Sequence, residues 1–142
     1  MSREMNEVEK PKQSVSLTIP PLTRTTLALF AGASFDHNPM HIDIDFARSN
    51  GRDDVFGHGM LTMAYMGRLL SQHFSLTRIV SFNVRFSSIT NVNDEITCSA
   101  DLKTVRDEKA GPVGVYEIAA RDQNLDLKIS GTAEILLSIN GA

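Results

Sequence analysis

The chain has 142 residues, of which 42% are hydrophobic and 22% charged, and its net charge is −3. This length is typical of one globular domain, and the sequence has neither a basic stripe for nucleic acid nor a window apolar enough to cross a membrane. The single cysteine, Cys98, cannot form an internal disulfide, which favours a reducing compartment. The polar N-terminus lacks the apolar core of a signal peptide. We therefore expect a cytoplasmic protein that binds neither nucleic acid nor membranes.

The N-terminal quarter of the chain is predicted to hold a tail, one strand and one helix. Residues 1–13 are polar and charged, and we expect them to form a flexible tail ahead of a single domain over 14–142. Residues 15–19 alternate between polar and apolar side chains, as a strand does. Residues 22–33 carry apolar side chains at helical spacing, with Thr23 or a neighbour as the cap.

A long loop and an apolar helix follow. Residues 34–57 show no regular period, apart from a possible short helix near 45–49, and a loop of this length is uncommon in a compact domain unless it is functional. Residues 58–74 are apolar on nearly all sides, which predicts a buried helix.

The remaining sequence predicts four strands and the overall fold. Turns are expected over residues 107–112 and 122–124, and the strand-like runs cover 79–89, 94–104, 113–121 and 125–139. A central apolar helix with an antiparallel sheet wrapped around it fits this order of elements. That is the hotdog fold, of the α+β class. Because one sheet covers only part of such a helix, and because edge strands need covering, we expect a homodimer or higher homo-oligomer, with a heterodimer as the alternative.

The residues that indicate chemistry lie in the long loop and at the start of the buried helix. Asp36 and His41 offer a carboxylate and an imidazole, the groups needed to move protons when water adds to an enoyl thioester. Asn38 lies between them, and its amide can orient the water. Gly59 opens the helix, where its free N–H could stabilise the negative charge that collects on the thioester oxygen.

These segments carry a resemblance to a known family. Residues 33–41 (ASFDHNPMH) and 58–61 (HGML), with the strand at 82–86, resemble the MaoC-like acyl dehydratases, the (R)-specific enoyl-thioester hydratases. The similarity extends over residues 17–139 and looks closest to the β-hydroxyacyl-carrier-protein dehydratase subunits. It implies a hotdog fold and no metal or other cofactor. The implied substrate is an acyl thioester of coenzyme A or acyl-carrier protein.

The resemblance also implies roles for individual residues. The catalytic aspartate and histidine would be Asp36 and His41, the water-positioning asparagine Asn38, and the oxyanion glycine Gly59. The sequence departs from the family at Phe35, where glycine is usual, and at His37, where an apolar residue is common.

Four further side chains are candidates for substrate contact. Phe35 would narrow the pocket or change the turn, and Met60 and Met63 would line an acyl tunnel along the helix. His58 is interpreted mainly as a brace for the helix start, with substrate contact as the alternative.

The leading hypothesis is a hydro-lyase that interconverts trans-2-enoyl and (3R)-3-hydroxyacyl thioesters. A hotdog thioesterase is a second possibility, although it would need a carboxylate on the central helix, which has none between Gly59 and Leu70. A non-catalytic hotdog subunit is a third, although such subunits normally lack the Asp and His. The chain could also be the catalytic half of a heterodimer.

Overall fold

An antiparallel sheet of five strands, with one long helix packed against it, forms the framework of the protein. The computed structural model describes residues 10–138. The strands are β1 (Ser14–Ile19), β2 (Ile79–Phe86), β3 (Ile96–Glu108), β4 (Gly111–Arg121) and β5 (Leu127–Leu136). The helices are α1 (Arg24–Ser34), α2 (Ile44–Ser49) and α3 (Gly59–His73), with short 3-10 turns at Pro39–His41 and Leu76–Arg78. The predicted α+β hotdog arrangement is confirmed.

The strands lie in the order β1-β3-β4-β5-β2, and every neighbouring pair is antiparallel. The edges of the sheet are therefore β1 and β2. Two apolar side chains of β2, Val80 and Phe86, are exposed. An exposed apolar edge strand favours pairing with another chain.

The helix α3 buries one side against the sheet. Leu69, Leu70 and Met66 are fully buried and pack with side chains from the middle strands, including Tyr116 and Ile118. The prediction that this helix is buried on nearly all sides is wrong. Met60, Ala64 and Arg68 are exposed on its other side, because a single sheet covers only one face of a helix.

The helix ends follow the sequence signals. Thr23 caps α1 as predicted, since its hydroxyl accepts a hydrogen bond from the N–H of Thr26. The predicted short helix near 45–49 is α2, whose N-cap Asp43 accepts bonds from two backbone N–H groups. The 3-10 turns at Pro39–His41 and Leu76–Arg78 have no counterpart in the prediction.

The hairpin between β3 and β4 is tighter than the predicted turn over 107–112. The strands pair as far as Glu108 and Gly111, which leaves a two-residue turn. Gly111 has φ 138, and a Cβ there would overlap the carbonyl oxygen of Ser138. The pairing of β3 with β4 thus includes the charged residues next to the turn, and their side chains are exposed to solvent.

Most of the predicted N-terminal tail, residues 1–9, lies outside the described residues, as do residues 139–142. Lys12 lies against the fold, because its carbonyl accepts a hydrogen bond from the hydroxyl of Tyr116 at 2.8 Å. Within residues 10–138, no helix combines the length and apolarity that a bilayer-crossing helix requires.

Candidate active site

Asp36 is placed by the end of α1. The preceding residue, Phe35, closes the helix with φ 63, in the left-handed region. The usual glycine of the family would adopt this conformation without strain, whereas a residue with a Cβ does so at a cost. The Phe35 side chain is 85% exposed, and its contact with substrate stays a prediction.

A chain of short-range hydrogen bonds links Asp36 to His41. The carboxylate Oδ1 of Asp36 accepts from the N–H of Asn38 at 3.3 Å, and Oδ1 of Asn38 accepts from the N–H of Met40 at 3.1 Å. Asn38 is thus the N-cap of the 3-10 turn that contains His41. Its side-chain NH₂ is the group left to contact water or substrate.

His41 is held in one tautomer. Its Nδ1 lies 2.6 Å from the carbonyl oxygen of Phe56. Because a carbonyl only accepts, Nδ1 carries the proton and Nε2 of the neutral ring is free to accept one. This acceptor belongs to the backbone, so sequence patterns gave no signal for it.

His58 supports the other site residues from the protein interior. It is 1% exposed, stacks on His41 with ring centroids 3.9 Å apart, and its Nε2 donates to the backbone carbonyl of Asp36 at 3.1 Å. Its buried Nδ1 has no hydrogen-bond partner among the described residues. Burial lowers the pKa of His58, and the hydrogen bond to the Asp36 carbonyl offsets this only in part. The ring is therefore neutral at pH 7, and its burial favours bracing over substrate contact.

The structure brings Asp36, His41 and His58 together, with one ligating atom of each lying within 4.8 Å of the others. Each imidazole bonds a backbone carbonyl through one nitrogen, as histidines that ligate metals also do, so the absence of a metal stays a prediction. The two rings are nearly parallel, at 30°.

Gly59 is the first residue of α3, so its N–H has no acceptor within the helix and lies at the positive end of the helix dipole. A Cβ at this position would lie 3.2 Å from the ring of Phe86. The close approach of that ring leaves no room for a larger residue without movement.

Two cavities lie beside these residues. One, of about 310 Å³, is bordered by His41 and Gly59 and has walls of mixed character, in which Ser87, Ser88 and Thr90 supply polar groups. It is the more polar of the two and is called the polar cavity below. The other, of about 460 Å³, is mainly apolar. Its lining residues are Phe30, Ser34, Asp36, Met60, Met63, Ala64, Gly67 and Phe82.

Two of the remaining predicted residues line these cavities, together with residues that were not predicted to be at the site. Met60 and Met63 line the apolar cavity, as the tunnel hypothesis requires. Phe82, on β2, also lines it and was not among the predicted site residues. Lys128 borders the polar cavity and was missed, because an isolated lysine in a strand gives no signal that it is buried.

A sheet wrapped around a central helix, with a carboxylate and an imidazole at the helix start, defines a hotdog protein with an acid–base site. The chain belongs to the MaoC-like dehydratase family: the family model described as "MaoC like domain" matches residues 5–121. This confirms the resemblance seen in the sequence. The family comprises hydratases and dehydratases that act on acyl thioesters.

Two characterised relatives illustrate the range of the family. The (R)-specific enoyl-CoA hydratase of Aeromonas caviae is 27% identical over 113 residues, which cover 78% of this chain and 83% of that protein. The mitochondrial 3-hydroxyacyl-[acyl-carrier-protein] dehydratase of Arabidopsis thaliana is 34% identical over 80 residues, covering 56% of this chain. The match spans about half of the Arabidopsis protein, 48% of its length.

Solved structures support the fold. The (R)-hydratase from A. caviae superposes with a TM-score of 0.78 at 24% identity, covering 92% of this chain and 99% of that one. A chain of the ChsH1-ChsH2 complex from Mycobacterium tuberculosis superposes with a TM-score of 0.74 at 20% identity, covering 88% and 95%. Similar folds therefore occur in complexes of two different subunits.

Proposed function

We propose that this chain catalyses the reversible, (R)-specific hydration of trans-2-enoyl thioesters to (3R)-3-hydroxyacyl thioesters. The observation that carries the proposal is the grouping of Asp36 and His41 beside the free N–H of Gly59. The reaction requires a base, an acid and an oxyanion donor, and the site offers a group for each role.

The proposed mechanism uses only these groups. Asp36 and the free Nε2 of His41 take a proton from water as its oxygen bonds to Cβ of the substrate. The electrons of the double bond move onto the thioester oxygen, where the N–H of Gly59 stabilises the charge. The pair then returns a proton to Cα, so the enzyme ends in its starting protonation state. The NH₂ of Asn38 orients the water, and the reaction needs no metal or other cofactor.

The polarity of the two cavities supports one orientation of the substrate. The apolar cavity, with Met60, Met63 and Phe82, suits the acyl chain. The cavity with Ser87 and Ser88 suits the amide-bearing arm that coenzyme A and acyl-carrier protein share. Rates measured over a panel of enoyl chain lengths, on coenzyme A and on carrier protein, would define the acyl group and the carrier.

The thioesterase alternative lacks support. A carboxylate on the central helix would be needed to act at the thioester carbonyl, and α3 contains no Asp or Glu along its length. Among residues 10–138, Asp36 from the preceding loop is the only carboxylate that borders the apolar cavity.

We also propose that the chain acts as a dimer in the cytoplasm. The exposed apolar side chains of the β2 edge and the open side of α3 favour a second subunit. A homodimer is the simpler assembly, and the ChsH1-ChsH2 neighbour makes a heterodimer the alternative. Measuring the mass of the protein expressed alone would separate them, and fractionation of the source cells would test the compartment.

The test of the proposed reaction is the variant Asp36→Asn. It removes the negative charge but keeps an oxygen that can cap the N–H of Asn38. We expect crotonyl-CoA hydration to fall by about 10²–10⁴-fold, with unchanged thermal unfolding. Asp107→Asn, in the exposed β3–β4 hairpin, is the matched control and should keep full activity. Full activity in Asp36→Asn would overturn the proposal.

A further inference from the structure

A buried ion cluster lies behind the polar cavity, outside the proposed acid–base machinery. Lys128, on β5, is 3% exposed, and its ammonium lies 3.0 Å from a carboxylate oxygen of Asp122 and 3.5 Å from one of Asp94. Both carboxylates are also buried. Buried charges are costly to maintain, so their presence beside a cavity that His41 and Gly59 border calls for a physical role.

The two carboxylates are fixed without the lysine. Asp122 accepts bonds from two backbone N–H groups in its own turn, at 2.8 and 3.0 Å. Asp94 accepts from the N–H of Asn91 at 2.7 Å and from the side chain of Gln123 at 3.3 Å. With two anions held in place, the ammonium of Lys128 is strongly retained between them. Its position is therefore determined by the surrounding backbone.

The third partner of the ammonium is the link to the active site. Lys128 Nζ donates to the carbonyl of Ile89 at 2.9 Å. The next residue, Thr90, accepts the N–H of Gly57 on its carbonyl at 2.7 Å. Its hydroxyl also lies 3.1 Å from that of Thr62 on α3. The ammonium thus fixes residues 89–90. Thr90 in turn bonds Gly57, just before α3, and Thr62 within α3.

The residues that lead into α3, 56–59, carry groups on which the proposed reaction depends. Gly57 follows Phe56, whose carbonyl selects the tautomer of His41, and it precedes His58 and Gly59. A Cβ on Gly57 would lie 3.2 Å from the carbonyl oxygen of Thr90, so the two segments are in close contact. A shift of Thr90 would therefore move the acceptor of His41 and the oxyanion donor together.

We infer that Lys128 is a positioning residue for the proposed hydration reaction: through Ile89 and Thr90 it sets where the Phe56 carbonyl and the Gly59 N–H lie. The inference rests on the proposed function. It assigns the lysine no contact with substrate, and Asp94 and Asp122 serve to hold its charge in place.

The primary test replaces Lys128 with methionine, which keeps the length and removes the ammonium. We expect kcat for crotonyl-CoA hydration to fall by about 100-fold, the size of effect that a misplacement near 1 Å can produce, with little change in KM. The matched control is Lys103→Met, because Lys103 is half exposed and makes only a loose pair with Glu117 at 3.9 Å. It should keep wild-type kcat.

A second variant covers the possibility that two unpaired carboxylates prevent folding. Combining Lys128→Met with Asp94→Asn and Asp122→Asn leaves no buried charge at the cluster, yet Ile89 still lacks its donor. We expect the same loss of kcat in this triple variant. Wild-type kcat in either variant, measured below its unfolding temperature, would overturn the inference.

A spectroscopic readout separates positioning from general stability. The ring nitrogens of His41, observed by ¹⁵N NMR, should report the Nδ1–H tautomer in the wild type and a mixture in Lys128→Met. Unchanged ring signals would count against the inference. If Asp36→Asn is inactive while Lys128→Met is normal, only the role of Lys128 fails. If Asp36→Asn is active, the proposed reaction fails, and the NMR readout still tests the lysine.

Discussion

Replacing Gly59 with alanine tests the oxyanion site with the smallest possible change. The added methyl carbon would lie 3.2 Å from the Phe86 ring, so the ring must move by a few tenths of an ångström. The methyl group would also stand beside the N–H that we expect to bind the thioester oxygen. Alanine is a better helix former than glycine by about 1 kcal/mol, so α3 itself should be retained.

The expected loss of activity follows from the role of that N–H. Removing one oxyanion donor typically costs about 10²–10³ in kcat, or roughly 3–4 kcal/mol of transition-state stabilisation. Alanine keeps the N–H, but its methyl group would hinder the approach of the thioester oxygen, so we expect a loss at the lower end of this range. We therefore expect kcat for crotonyl-CoA hydration to fall by about 100-fold in Gly59→Ala. The unfolding free energy should change by less than about 1 kcal/mol, because the gain in helix propensity offsets the contact with Phe86.

The assay compares kcat and urea unfolding of this variant with those of Gly32→Ala. Gly32 lies in α1, and a Cβ there would meet nothing within 4 Å. The control should therefore keep wild-type kcat. If Gly59→Ala is as active as Gly32→Ala, the proposal that the thioester oxygen approaches Gly59 too closely for a Cβ is refuted.

Two further predictions concern stability. Phe35→Gly should raise the unfolding free energy by about 1 kcal/mol, because the left-handed conformation at φ 63 strains any residue with a Cβ; urea unfolding measures this, and an unchanged midpoint would contradict the strain. His58 should make stability pH-dependent, because its folded-state pKa is lowered by burial while the unfolded chain takes up a proton near pH 6.5. Its stabilising contribution is present above that pH and is lost as the pH falls. His58→Leu should be less stable than wild type at pH 7 but show a flatter decline between about pH 6.5 and 5, and identical slopes in the two proteins would contradict this account.

The order of elements could be predicted because each is encoded locally. The alternation in β2 and β4, the cap at Thr23 and the long apolar run of α3 are all properties of short windows. The open side of α3 could not be predicted in this way. Its exposure depends on how much of the helix a single sheet covers, and no window of sequence contains that information.

The candidate site was predictable only where side chains do the chemistry. Asp36, His41 and Gly59 were proposed from their types and spacing. The structure places His41 and Gly59 beside one cavity and Asp36 beside the other. The carbonyl of Phe56, which orients His41, is a backbone group and has no residue signature. The burial of Lys128 was equally hidden, since its partners come from turns distant in sequence.

The two histidines make reciprocal bonds between the segments on either side of α2. His41 bonds the carbonyl of Phe56, and His58 bonds the carbonyl of Asp36. The stretch between them, residues 42–55, includes α2, and its two ends are tied together by the site itself. Ala47 and Val55 are buried, whereas the turn at residues 50–53 is exposed. Loop closure becomes only slowly more costly with length, so insertions in that turn should be tolerated. Evolution can thus rebuild the surface beside the catalytic pair while the pair keeps its geometry.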